Sequence, residues 1–296
     1  MVRGDGSLLC VQVLAGQMTH LSAAGAVIST RQIGGGPNGL AFGPNNLCYI
    51  CNNGGLDADD IARLREGEDG DAIDPGLGRI ETVNLETGEV KMLYNQCDGV
   101  PLVAPNDLVF DGFGGFYFSD FGSLRRAAPQ MGQVYYAQAD GTGLHAVTPP
   151  LERPNGVGLS PDGTKLYVSE THSGRVWCFS LTEPGKITNA MQASALLFGD
   201  ASLLMDSLAV QADGKVCVAC PGNNLILRVA PDGTAERIPT VPGDPSNICF
   251  GGADMRTAYI TGLHCGVVFT ATWDAPGLAL AFQEKWAGPS PVCGGH

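Results

Sequence analysis

Five short polar residues carry the chemistry for which this chain can be read. Asn38, Asn106, Asn155, Asp206 and Asn247 each precede an apolar run of about four residues, then a Gly/Asp/Pro turn, then a second apolar run. The segments are PNGLAFGPNNLCYIC from Pro37, PNDLVFDGFGGFYFSD from Pro105, PNGVGLSPDGTKLYVSE from Pro154, MDSLAVQADGKVCVAC from Met205 and PSNICFGGADMRTAYIT from Pro245. A single Asn or Asp before a strand is ordinary turn chemistry. Five in the same place of five similar segments point instead to oxygen donors gathered around one centre. Oxygen-only donor sets suit hard cations such as Ca²⁺, Mg²⁺ or Mn²⁺. Asn45, Asn46, Asp162 and Asp213 fall in the hairpin turns between the two runs and are read as turn residues.

A second group of polar residues closes the second apolar run or the loop after it: Asp120, Glu170, His172 and His264, with Asn52, Asn53, Phe121, Asn223 and Asn224. These are candidates to touch a substrate, with Asp120 and Glu170 foremost because they end apolar strands. Other chemistries lack their signatures. There is no Gly-x-Ser-x-Gly elbow, no H-E-x-x-H pair and no glycine-rich phosphate loop between a strand and a helix. Cys48/Cys51 and Cys217/Cys220 have C-x-x-C spacing but lie in strand-like runs, where residues three apart face opposite sides. They read as buried thiols rather than a zinc site.

The elements that must position these residues are β-hairpins with their turns. Successive polar positions are 68, 49, 51 and 41 residues apart, near the length of a four-stranded propeller blade. Two further strands follow each hairpin: GRIETVNL and EVKMLYN, GQVYYAQ and LHAVTP, GRVWCFSL and ASALLFG, NLILRVA and AERIPTV, GVVFTATW and LALAF. The first 33 residues add GSLLCVQ, QMTHLSA and AVISTRQI, a blade without its innermost strand. The expected fold is an all-β, six-bladed β-propeller of four-stranded blades, one domain over 1–296, its first blade one strand short. A pair of β-sandwiches fits the regular unit length less well. In a propeller all inner strands begin on one face, so the five polar residues would converge on the channel mouth. Loops between second and third strands would wall it. The longest, 52–78, carries eight of the thirty acids and reads either as a lid or as a solvated excursion, with a short helix from Asp57.

Composition agrees. Glycine is 42 of 296 residues, hydrophobic residues are 44% and charged residues 16%, which excludes a disordered chain and disfavours a helical bundle. The net charge of −13 and the absence of a basic cluster beyond Arg125-Arg126 argue against nucleic acid and anionic membranes as partners. No apolar run is long enough to span a bilayer, and the N-terminus does not read as a signal peptide. Ten cysteines in a chain long enough to bury a core suggest a reducing, cytoplasmic setting.

The segments LERPNGVGLSPDGTKLYVSET, VPLVAPNDLVFDGFGGFYFSD and DPSNICFGGADMRTAYIT resemble the senescence marker protein/gluconolactonase/luciferin-regenerating enzyme family, most clearly from Gly34 to Phe282. The resemblance implies a six-bladed propeller and a metal-dependent lactonase or related hydrolase of the carboxylic-ester type. A divalent ion would sit atop the channel, calcium foremost, with Mg²⁺, Mn²⁺, Zn²⁺ or Fe²⁺ as alternatives. By the same resemblance Asn155 and Asp206 are metal ligands and Asp206 is also the base, while Asn106 lies near metal and substrate. Asn38 and Asn247 occupy equivalent places, Asn38 as a further ligand and Asn247 toward the substrate. One departure stands out: the family's glutamate ligand belongs to the inner strand that the first blade lacks, leaving Asp206 as the one charged ligand. The expected reaction is hydrolysis of a small-molecule lactone, such as a sugar-acid lactone, by a metal-polarised carbonyl and an Asp206-activated water. Ester or phosphotriester hydrolysis, ring modification on the same scaffold, and a non-catalytic binding propeller remain as alternatives. A homo-oligomer is left open, and the exposed first-blade edge would invite a strand from the C-terminal stretch or another chain.

Overall fold

The computed structural model describes residues 1–55, 78–123, 130–188, 194–240, 243–263 and 266–283. The chain forms a six-bladed β-propeller. Its blades are antiparallel sheets met in chain order. The first comprises Leu8–Gln12, Gln17–Leu21 and Val27–Gln32. The second runs Pro37–Phe42, Leu47–Asn52, Arg79–Asn84 and Val90–Tyr94, and the third Pro105–Phe110, Gly115–Asp120, Gln133–Gln138 and Leu144–Ala146. The fourth holds Pro154–Leu159, Lys165–Glu170, Arg175–Glu183 and Ser194–Gly199, with the short Lys186–Ile187 beside the third strand. The fifth is Leu208–Val210, Val216–Cys220, Leu225–Val229 and Ala235–Pro239, and the sixth Pro245–Gly251, Thr257–Gly262 and Val268–Thr272.

Four inner strands open on proline, which suits a first strand position because its missing N–H leaves no ladder bond broken. Pro37, Pro105, Pro154 and Pro245 face Asn52, Asp120, Glu170 and Gly262, the last residues of the adjoining strands. The register then shifts through a bulge before the regular ladder resumes. A bulge re-aims the extra residue away from strict alternation. The polar residues after each proline therefore sit where the strand is bent toward the channel.

Apolar clusters lie between neighbouring blades. Tyr49, Phe110, Phe116 and Phe118 join the second and third, with Tyr49 and Phe110 edge to face at 5.0 Å between ring centres. Val134, Val157, Leu166 and Phe179 join the third and fourth. Tyr167, Val176, Leu208 and Val218 join the fourth and fifth, and Ile226, Ile248, Phe250 and Ile260 the fifth and sixth. Met18, Cys48 and Ile50 join the first and second. Cys48 and Cys51 enter different clusters, as do Cys217 and Cys220, so each C-x-x-C pair is split across the two faces of its strand. All four are buried thiols whose pKa burial raises.

Between the sixth and first blades no such cluster forms among the described residues. The first blade does lack an inner strand. Among the described residues Met1 and Val2 stand in its place: Val2 pairs with Leu8, Met1 and Leu9 exchange backbone hydrogen bonds of 2.9 Å, and Val2 lies against Gly251. One expectation is corrected here. Leu278–Phe282 is not a fourth strand of the sixth blade; residues 276–283 cross beneath the channel as a strap. Gly277 bridges Gln211 and Leu278 N–H donates to Val210. Leu278 packs on the cluster of Val210, Leu280 on that of Leu159, and Phe282 meets Phe110 edge to face at 5.3 Å. Gln283 Nε2 then donates to Phe250 O. Its residues find partners on the third, fourth, fifth and sixth blades instead of a ladder on one.

Candidate active site

A cavity of about 1270 Å³ occupies the channel above this strap. Asn38, Asp107, Asp206, Ser246 and Asn247 line it where the inner strands begin. The bulges of adjacent blades press together there. A Cβ on Gly39 would lie 2.4 Å from Asn106 O, and one on Gly156 would lie 2.5 Å from Leu208 N. Glycine is required at both because backbone, which cannot yield, fills the space.

Two serines on second strands stitch these bulges across the blade boundaries. Ser119 Oγ accepts the Asp107 N–H at 3.1 Å and donates to Asn155 O at 2.5 Å. Ser169 Oγ accepts the Gly156 N–H at 2.8 Å and donates to Asp206 O at 2.7 Å. The fifth blade continues the belt without a serine: Asp206 N–H donates to Ala219 O and Ser207 N–H to Ser246 O. Both serines are fully buried. The belt fixes the backbone of Asp107, Asn155 and Asp206 relative to one another.

The side chains of that trio meet. The Asp206 carboxylate accepts a hydrogen bond from the Asn155 side chain, which also donates from Nδ2 to Thr171 Oγ1 at 3.1 Å. Asp107 accepts from its own strand at Leu108, from the Val157 N–H and from the Ser207 hydroxyl. Burial raises both carboxyls from 3.8 to about 7, and for Asp206 the neighbouring Asp107 charge adds to the effect. Asp206 keeps part of its surface open to the cavity. Asn106 Oδ1 and Asn155 Oδ1 are buried acceptors with no partner. Such orphaned oxygens are rare unless something outside the protein satisfies them. The orphaned amide oxygen of Asn155 beside the Asp206 carboxylate, with that of Asn106 at the equivalent place in the neighbouring blade, is the kind of oxygen donor that suits a hard divalent cation. No cluster of three His, Cys, Asp or Glu exists among the described residues, so amide oxygens would have to contribute.

The expected residues divide. The side chains of Asn155 and Asp206 come together, and Asn38 and Asp206 line the cavity; Asn106 and Asn155 stand at inner-strand starts outside its lining, with Gly39 packed on Asn106 and Asp107. Asn247 also lines the cavity but stands one place further along its strand; the residue after Pro245, equivalent to Asn38, Asn106 and Asn155, is Ser246. Asp120 is buried with its carboxylate accepting the N–H groups of Val103, Ala104 and Gly122 at 2.7, 2.8 and 3.0 Å. Glu170 accepts from the Glu152 N–H and Ser173 hydroxyl and lies 3.5 Å from Arg175. Both carboxylates pin the loops over their blades, and neither lines the cavity. His172 is exposed and sits at the edge of Phe121, also outside the cavity lining. His264 and residues 56–77 of the acidic loop lie outside the described residues. Asp107 was not anticipated. Its signal was the acid in PND where the second and fourth blades have PNG, at a bulge that brings the second polar residue toward the channel as well.

Residues 1–264 match the SMP-30/Gluconolactonase/LRE-like region. A gluconolactonase of Zymomonas mobilis is 31% identical over 218 residues, covering 68% of this chain and 60% of that protein. The chain thus aligns with less than two thirds of that relative's length. Among solved structures, the gluconolactonase of Xanthomonas campestris superposes with a TM-score of 0.67 at 22% identity, covering 86% of this chain and 79% of the other. The calcium-binding protein regucalcin of Agrobacterium tumefaciens gives 0.70 at 18% identity, covering 93% and 88%. These two share the propeller fold. With a family match over nine-tenths of its length, the chain belongs to the SMP-30/gluconolactonase/LRE-like family.

Proposed function

We propose that this protein is a lactone hydrolase working with a divalent cation. The observation that carries the reading is the contact of Asn155, whose amide oxygen is orphaned, with Asp206, whose carboxylate opens onto the channel cavity beside Asp107. The gluconolactonase relative supports the reaction class, and calcium binding by the regucalcin neighbour supports a hard cation. Asn106, Asn155 and Asp206, with Asn38 further round the ring, would hold the ion, calcium being the best match to neutral amide donors. Such an ion supplies Lewis-acid polarisation of the ester carbonyl.

The chain's own residues do the rest. Asp206 takes a proton from water as the water oxygen bonds to the carbonyl carbon, and returns it to the ring oxygen as the ring C–O bond breaks, yielding the hydroxy acid. Asp206, hydrogen-bonded to Asn155 and open to the cavity, is the carboxylate placed to make that transfer. Asp107, held by Ser207 and the Val157 N–H, lies near enough to Asp206 for its charge to raise the Asp206 pKa. Asn38 and Asn247 line the space into which the lactone must fit. The test is a lactone panel with and without chelator, run on the wild type and on Asp206→Asn. The variant is expected to lose about 10²–10⁴ in kcat with its melting temperature retained. A folded Asp206→Asn protein with undiminished hydrolysis refutes the assignment.

A further inference from the structure

The residue that follows each second strand makes the same backbone bond in three blades. The N–H groups of Asn53, Phe121 and Thr171 donate to Gly36 O, Ala104 O and Arg153 O at 2.9, 2.9 and 3.1 Å. Each acceptor lies two residues before an inner-strand asparagine: Asn38, Asn106 and Asn155. That tie belongs to the fold. The side chains at this place differ. Asn53 turns its Oδ1 to the Gly55 N–H, and Phe121 has no polar group to offer. Thr171 alone among them grips the asparagine of its own blade, accepting from Asn155 Nδ2 on its hydroxyl at 3.1 Å. Asn155 is also the asparagine that meets Asp206.

The two hydrogens of Asn155 Nδ2 are thus both taken, one by the Asp206 carboxylate and one by Thr171. The carboxylate decides which end of the amide faces it, because it accepts and cannot donate when ionised. The hydroxyl holds the other hydrogen and so fixes the amide plane. What remains is Oδ1, buried and without a partner. Thr171 is itself tethered at both ends, since its carbonyl accepts the N–H of Met205, the residue before Asp206, at 3.1 Å. It is half-buried and stands outside the cavity lining. We propose that Thr171 is a positioning residue, whose hydroxyl holds the Asn155 amide with its oxygen presented to a divalent cation. This rests on the cation reading of the site, and the two are separable.

The experiment titrates calcium into chelator-treated protein by calorimetry. Thr171→Val keeps the branched shape and both backbone bonds and removes the hydroxyl; its calcium Kd should rise about tenfold. Thr171→Ala, which adds no bulk, carries the same expectation. Thr171→Ser restores the hydroxyl and should bind calcium as the wild type does. Ser173→Ala, which removes a hydroxyl of the same turn that bonds Glu170 at 2.7 Å, should leave Kd unchanged. With a lactone as substrate, Thr171→Val should lose kcat/KM at limiting calcium and regain it at saturating calcium, a recovery that a merely loosened fold would not show. Thr171→Val binding calcium as tightly as the wild type, or Thr171→Ser as weak as Thr171→Val, overturns the positioning role and leaves the cation reading standing. A wild type that binds no calcium overturns both. The expected order of affinities with no lactone hydrolysed keeps the role of Thr171 and overturns the lactonase reading instead.

Discussion

Replacing Ser169 by alanine tests whether the serine belt positions the site. The hydroxyl serves two buried backbone groups, the Gly156 N–H at 2.8 Å and Asp206 O at 2.7 Å. Ser169 is fully buried, so no solvent takes its place directly. Each orphaned group destabilises by about 1–3 kcal/mol, and relaxation toward the cavity brings the expected sum to roughly 2–4 kcal/mol. At ~2.1 cal/mol/K of unfolding entropy per residue, that is a melting temperature lower by about 3–6 °C. The same change frees the backbone of Asp206 from the fourth blade and lets the trio drift. A displacement of about 1 Å is enough to reduce kcat ~10²-fold. Ser160→Ala is the control. Ser160 likewise bonds Asp162 and the Lys165 N–H, but in a hairpin turn at the far end of its strand. The assay is thermal unfolding together with kcat and KM on a lactone. The control should lose stability and keep kcat, whereas Ser169→Ala should lose both. Equal kcat in the two variants, or a Ser169→Ala protein as stable as the wild type, refutes the positioning argument.

Gly156→Ala places a methyl 2.5 Å from the Leu208 nitrogen; we expect a loss of about 1–3 kcal/mol in urea unfolding and reduced kcat. Calcium added to chelator-treated protein should raise the melting temperature, by an amount equivalent to ~2.7 kcal/mol at a hundredfold excess over Kd. The shift should shrink in Asn155→Ala and Asn106→Ala, and its persistence in both would remove the orphaned oxygens from the donor set. Phe282→Ala strips the strap of its contact with Phe110 and should lower stability by roughly 1–3 kcal/mol; an unchanged unfolding midpoint would mean the strap does not close the channel floor.

The blades were legible because each inner hairpin carries its own turn chemistry and a proline or acid at a fixed place before an apolar run. The places of Asn38, Asn106 and Asn155 at the starts of inner strands were legible for the same reason, since each follows such a proline. What escaped was whatever depends on register or on partners distant in sequence. The bulge after Pro105 turns Asp107 toward the channel along with Asn106, and strict alternation hides that. After Pro245 the shift of one place makes Ser246 the counterpart of Asn106, so counting to the nearest asparagine led to Asn247. Asp120 and Glu170 looked like ligand contacts because they end apolar strands. The same position also faces loop amides that need an acceptor, and those amides are invisible in a linear reading. LALAF has the composition of a strand, and only the apolar undersides of other blades reveal why it runs as a strap.

Among the described residues, the serine stitches run from the third blade to the fifth, and neither such a stitch nor an apolar cluster joins the sixth blade to the first. Heat or denaturant should therefore part the ring first along that unsewn seam, with the arc around Asn155 and Asp206 the last to come undone.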